Sequence, residues 1–180
     1  GKQITGVRTE STLHETDIVV SAIDVSQTYS RLLGMKGQGD IYLNLPKSTS
    51  AIIWYWGIPV STPVTGLHNI FFSSDYRKEF EDLFQGKAMP SDPTIYLNIS
   101  SKERKGDAPD NSETWFVMVN APANEGQDWD CIIAETRTIV LKRLSDELGF
   151  DVGSAIEEET VLEPRTLESR TGSVGGALYG

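Results

Sequence analysis

Ser50-Ala51-Ile52-Ile53-Trp54-Tyr55-Trp56-Gly57-Ile58 is the most apolar stretch of the sequence, and its reading decides the fold. A strand turns successive side chains to opposite faces. Ile52, Trp54, Trp56 and Ile58 therefore share one face, and Ala51, Ile53, Tyr55 and Gly57 the other. Both faces are apolar. The stretch is far too short to span a bilayer, and it is rich in β-branched and aromatic residues. It reads as an interior strand, or as one that faces a greasy ligand.

Downstream, Pro59, Pro63 and Gly66 mark a loop before a second strand over residues 68–73. Ser74 has the chemistry of a helix N-cap, and Tyr76, Phe80, Leu83 and Phe84 recur at helical spacing. A helix over 75–85 with that stripe buried is predicted, closed by Gly86. The turn Met89-Pro90-Ser91-Asp92-Pro93 leads to a strand over 94–99, where Ile95, Leu97 and Ile99 alternate with Tyr96 and Asn98. A polar loop over 100–113 precedes a strand over 115–119. No crossover helix separates these two strands, so they should pair antiparallel. Asp128 and Gly149 bracket the longest helix, residues 129–148, with Ile133, Val140, Leu144 and Leu148 on its apolar stripe. A final strand over 156–162 ends at Pro164, and a short helical turn carries Thr166 to Arg170.

Upstream, Ile4 and Val7 beside Gly6 read as half of a hairpin. Ile18-Val19-Val20 reads as a strand buried on both faces. A helix follows over 25–33, and the glycine-containing stretch 34–50 reads as a linker or mobile loop. Both ends look like cuts through a larger protein. The expected architecture is α+β, a mainly antiparallel sheet with helices on one face.

Composition bounds the function. The 180 residues carry a net charge of −10, which argues against nucleic-acid binding and against electrostatic docking on anionic lipid. One cysteine, Cys131, excludes an internal disulfide framework and fits a reducing, cytoplasmic compartment. With only His14 and His68 as further soft ligands, no metal site is expected.

Candidate chemistry is sparse. Cys131 falls in the first turn of the long helix, where the dipole would lower a thiol pKa, but a small core-facing residue fits there too. His68 opens an apolar strand beside Asn69, as a proton-transfer or binding residue or as a hydrogen-bonded structural one. Glu157-Glu158-Glu159 lie on a strand and point alternately, so they cannot converge on one ion and read as a solvated edge. Asn98-Ile99-Ser100 matches a glycosylation sequon by chance. Gly34, Gly37 and Gly39 lack the strand and helix of a phosphate loop, and the closing Gly172-Ser173-Val174-Gly175-Gly176 lacks its Lys-Ser/Thr. Those last glycines allow close approach to a neighbour or ligand. Trp54, Tyr55 and Trp56 are core residues or an apolar ligand wall. No catalytic dyad or triad is present, so no catalytic residue is assigned.

Taken together, several segments resemble one family. Gly6-Val7-Arg8 followed by Thr16-Asp17-Ile18-Val19-Val20-Ser21-Ala22-Ile23-Asp24 resembles the strand return of flavin-dependent amine-oxidase-like enzymes. The run from His68 to Phe80, then Ser91 to Lys102, Asp107-Ala108-Pro109 and Trp115 to Pro122, resembles the phytoene dehydrogenase (carotenoid desaturase) family in this order. Thr166 to Thr171 and the glycine-rich end resemble the approach to that family's last flavin-binding region. Trp54-Tyr55-Trp56-Gly57 is similar to a subgroup that includes hydroxycarotenoid desaturases.

The resemblance implies an FAD enzyme that removes hydride and a proton across C–C bonds of a long polyene at the membrane surface. It implies a piece of the FAD-binding domain over 1–33, a linker over 34–49, a substrate domain over 50–171 and a return segment over 172–180. Ser21, Ala22 and Asp24 would lie toward the flavin in the parent, and Trp54, Tyr55, Trp56 and His68 toward the carotenoid or other long apolar substrate. The N-terminal G-x-G-x-x-G with its acidic partner is absent from this sequence. The chain alone is therefore expected to bind no FAD and to be inactive, with contact to a membrane only in the parent. An exposed apolar sheet face would favour self-association. The alternative is a non-enzymatic binding module for a hydrophobic ligand or a protein partner.

Overall fold

The structure is a computed structural model that describes residues 3–179. Two compact units make up the chain, one ending at Asn44 and the other beginning at Leu45.

In the first unit, β1 (Gly6–Arg8) and β2 (Leu13–Glu15) form an antiparallel hairpin with Val7 opposite His14. Helix α1 (Val25–Gln27) continues into a wide π-type turn over Thr28–Leu32, and α2 (Lys36–Leu43) follows. Two expectations are corrected here. Ile18 to Val20 form no strand, and Ile18 and Val20 are 79% and 88% exposed. A β-branched run becomes a strand only when a neighbouring edge takes its backbone hydrogen bonds, and neither β1 nor β2 pairs with this run. The stretch predicted as a linker instead holds α2. Gly39, taken as a loop signal, is a packing residue. A Cβ there would sit 2.9 Å from the Ser30 Cβ and 3.0 Å from the Ser26 carbonyl oxygen, so only glycine lets α2 approach the preceding helix. Tyr29 stacks on Tyr42 at 5.3 Å between ring centroids across the same contact.

The second unit is built on one antiparallel sheet. Its elements are β3 (Ser50–Ile58), β4 (His68–Phe71), α3 (Tyr76–Glu81), β5 (Ile95–Ile99), β6 (Glu113–Ala121), α4 (Trp129–Leu148), α5 (Val152–Ala155), β7 (Glu158–Leu162) and α6 (Pro164–Thr171). The strand order is β4-β5-β6-β3-β7, so the doubly apolar β3 is an interior strand, as its sequence predicts. In register, Leu97, Val117, Trp54 and Val161 form one row across the sheet, and Ile95, Val119 and Ile52 the next. All of these but Val161, which is half-buried and packs against them, join Trp129, Val140 and Leu144 of α4 in one buried cluster. Asp128 caps α4 by accepting from the Cys131 N–H, and Gly149 ends it at φ 77°, both as expected.

Helix α3 departs from its predicted orientation. Its cap is Asp75, which accepts from the Lys78 N–H, while Ser74 bonds Asp92. The buried side chains are Glu79 of α3 and Leu83 in the turn after it, because the Glu79 carboxylate accepts from the backbone N–H and hydroxyl of Thr94, just before β5. Tyr76 and Phe84 consequently turn outward, each about half exposed. The closing glycines meet protein. A Cβ on Gly176 would lie 2.4 Å from the Pro164 carbonyl oxygen, and the Ser50 hydroxyl donates to the Gly176 carbonyl at 2.7 Å.

Candidate functional site

Alternation along the strands places two rows on the sheet face opposite the core. One row is His68, Asn98, Phe116, Tyr55 and Thr160; the next is Ile70, Tyr96, Met118, Ile53 and Leu162. Ring contacts run across four adjacent strands. His68 stacks on Tyr96 at 6.0 Å, Tyr96 meets Phe116 edge-on at 6.0 Å, and Phe116 meets Tyr55 edge-on at 5.5 Å. These are the separations and tilts that aromatic pairs prefer. The face is open where the rings lie. Tyr55 is 39% exposed and Ile70 53%, while Tyr96, Phe116 and Met118 are half-buried. It is an aromatic strip that a long, flat, apolar molecule could cover.

One end of the strip is polar. The His68 Nδ1 lies 2.8 Å from the Tyr96 hydroxyl and 3.2 Å from the Asn98 Nδ2. The same Asn98 amide nitrogen donates to the Leu67 carbonyl at 3.1 Å, which fixes the amide's orientation. Asn98, read from sequence as a chance sequon, is thus a structural link between β4 and β5.

The sequence-predicted residues divide. Tyr55 and His68 lie on the open strip. Trp54 and Trp56 face the core with no exposure, so they pack the interior and do not line an open surface. Their bulk made them the conspicuous candidates, but the parity of the strand assigns the wall to Tyr55. Tyr96, Phe116, Met118 and Ile70 belong to the strip as well. The alternation within their strands shows which face they share, but only the strand order brings them together.

Ser21, Ala22 and Asp24, the flavin-side residues implied by the resemblance, form a capping turn. The Asp24 carboxylate accepts from the Ser26 N–H at 2.8 Å and hydroxyl at 2.6 Å, and the Ser21 and Thr28 hydroxyls are 2.7 Å apart. Residues 21–24 contain no glycine and present no cradle for a pyrophosphate. They do not fit the group on their own, and no step is assigned to them.

Other candidates are accounted for. Cys131 is exposed, not core-facing. Its thiol is pushed up, first by the hydrogen bond to Glu135 at 3.6 Å and then by that carboxylate's charge, against the lowering expected from the helix dipole. Glu159 of the acidic run is engaged, accepting from the Trp56 indole N–H at 2.5 Å and from Arg137 at 2.8 Å. Among the described residues no group of three or more His, Cys, Asp or Glu converges on a metal position, and no helix is long and apolar enough to cross a membrane.

No protein-family model matches the chain. It is 43% identical to a 1-hydroxycarotenoid 3,4-desaturase of Flavobacterium sp., over 99% of this chain and 36% of that protein. It is 28% identical to a phytoene desaturase of Fusarium fujikuroi, over 100% of this chain and 35% of that protein. It is 30% identical to a 4,4'-diaponeurosporene oxygenase of Staphylococcus haemolyticus, over 98% and 36%. The chain spans about a third of the length of the curated relatives it matches.

Proposed function

This chain belongs to the phytoene and carotenoid desaturase family, and from that premise we propose that it supplies the substrate-facing surface of a longer flavin-dependent desaturase. The substrate is a long polyene, and the reaction removes hydride and a proton across one of its C–C bonds. A bound FAD would supply the hydride acceptor. This chain's residues hold the polyene.

The observation that carries the reading is the strip His68–Tyr96–Phe116–Tyr55, an aromatic row on the sheet face opposite the core. A polyene laid on it would displace water from apolar surface at about 25 cal/mol per Å² buried. The rings are tied to four strands, so they keep their spacing without the ligand, and little ordering cost falls on binding. Trp54 and Trp56, on the other face, stiffen the sheet beneath.

Contact of the longer protein with a membrane surface belongs to the same reading, since its substrate dissolves there. The ring series Phe72, Tyr76, Phe80 and Phe84, which runs through α3 and beyond both its ends, supports it, with Phe72, Tyr76 and Phe84 at least half exposed.

The test is kinetic. In the full-length desaturase, Tyr55→Ala combined with Phe116→Ala should lower kcat/KM for the polyene at least tenfold, with flavin content unchanged. Unchanged kcat/KM, or loss of flavin as the sole defect, would contradict the proposal.

A further inference from the structure

We infer that His68 is a specificity residue that recognises a hydroxyl at the end of the polyene; the inference rests on the aromatic strip being the polyene wall. The Asn98 Nδ2 carries only donors, and its orientation is fixed by the Leu67 carbonyl. Facing it at 3.2 Å, the His68 Nδ1 must accept. The Tyr96 hydroxyl, 2.8 Å from the same nitrogen, then donates to it as well. The two donors share the single Nδ1 lone pair, so the neutral ring carries its proton on Nε2.

That Nε2–H is a donor without a bonding partner among the described residues. It sits on an exposed side chain at the β4 edge of the sheet, where the aromatic strip ends. Apart from Asn98, Thr160 and the tyrosine hydroxyls, the strip presents rings and aliphatic chains. A plain hydrocarbon polyene lying across His68 would strip water from this N–H and give nothing back. A polyene with a terminal hydroxyl would offer an oxygen to accept from it. Selectivity therefore arises from an unpaired donor under the wrong ligand as much as from a new bond under the right one. Tyr96 and Asn98 are positioning residues, because they fix the tautomer that makes His68 a donor.

The test measures affinity of this chain for two probes in detergent micelles, an acyclic polyene bearing one terminal hydroxyl and the same polyene without it. Wild type should bind the hydroxylated probe about tenfold tighter, the worth of one hydrogen bond. His68→Phe, which keeps a flat ring, should erase that preference and leave hydrocarbon affinity unchanged or tighter. Tyr96→Phe should reduce the preference, a readout that loss of packing alone would not move. Phe116→Ala should weaken both probes equally, which tests the wall separately. If His68→Phe weakens both probes alike, or if wild type shows no preference, His68 is only one more ring of the wall and the inference falls. If wild type binds neither probe, the wall and the inference fall together.

Discussion

The Lys102 ammonium meets the Glu113 carboxylate at 2.6 Å in a nearly water-free position, with Glu113 only 3% exposed. The carboxylate also accepts from the Thr62 N–H at 2.9 Å, the Thr62 hydroxyl at 2.8 Å and the Trp115 indole N–H at 2.8 Å. Two loops, one following β3 and one preceding β6, are thereby fastened to the first residue of β6.

Burial alone would raise the Glu113 pKa, but the hydrogen bonds from Lys102, Thr62 and Trp115 outweigh it and hold the carboxyl below the usual glutamate range. A carboxylate with a depressed folded-state pKa stabilises the fold above the unfolded-state value. That contribution is lost as pH falls through the folded-state value. Glu113→Gln leaves Lys102 without its counter-charge and should cost about 3 kcal/mol. Urea denaturation at neutral and acid pH checks both points. The variant should be less stable at pH 7, and its stability should fall less steeply than that of wild type on acidification.

Trp54 and Trp56 are both fully buried, yet their indole nitrogens differ. The Trp56 N–H donates to Glu159, whereas the Trp54 N–H has no partner among the described residues. Replacement by Phe removes similar volume at each position. Trp56→Phe also deprives Glu159 of a donor, while Trp54→Phe removes an unpaired polar group. Trp56→Phe should therefore be the more destabilising by about 1 kcal/mol, measured as a difference in denaturation free energy. A larger loss for Trp54→Phe would contradict this assignment.

Cys131 is exposed, but Glu135 holds its thiol above the ordinary range. Alkylation by iodoacetamide at pH 7.5 should be slower than for a free cysteine peptide. Glu135→Gln should speed it, because removal of the carboxylate's charge and hydrogen bond returns more thiolate. Rates followed by mass spectrometry decide between this and an activated thiol.

Much of the second unit was legible in the sequence. Strand β5 follows from period-two alternation, β3 and β6 from short apolar runs rich in β-branched and aromatic residues, and α4 from Asp128, Gly149 and the stripe between them, because these signals are local and strong. The first unit was read less well. Ile18 to Val20 have strand composition without a strand partner, and Gly39 punctuates nothing, serving close packing. The orientation of α3 was hidden for a similar reason. Glu79 goes inward because Thr94, fifteen residues on, receives it, and no periodicity within the helix announces a distant partner. For the strip, one face of each strand could be read, but the order β4-β5-β6-β3 that aligns His68, Tyr96, Phe116 and Tyr55 is a long-range fact.

The central claim is that a polyene lies on the open sheet face and not within the tryptophan core. Chemical-shift mapping of this chain, titrated with an acyclic polyene in detergent micelles against micelles alone, tests it most directly. The account predicts the largest shifts at Tyr55, Ile70, Tyr96 and Phe116, with the indole signals of Trp54 and Trp56 hardly moved. Shifts centred on Trp54 and Trp56, or none on the strip at saturating polyene, would contradict it.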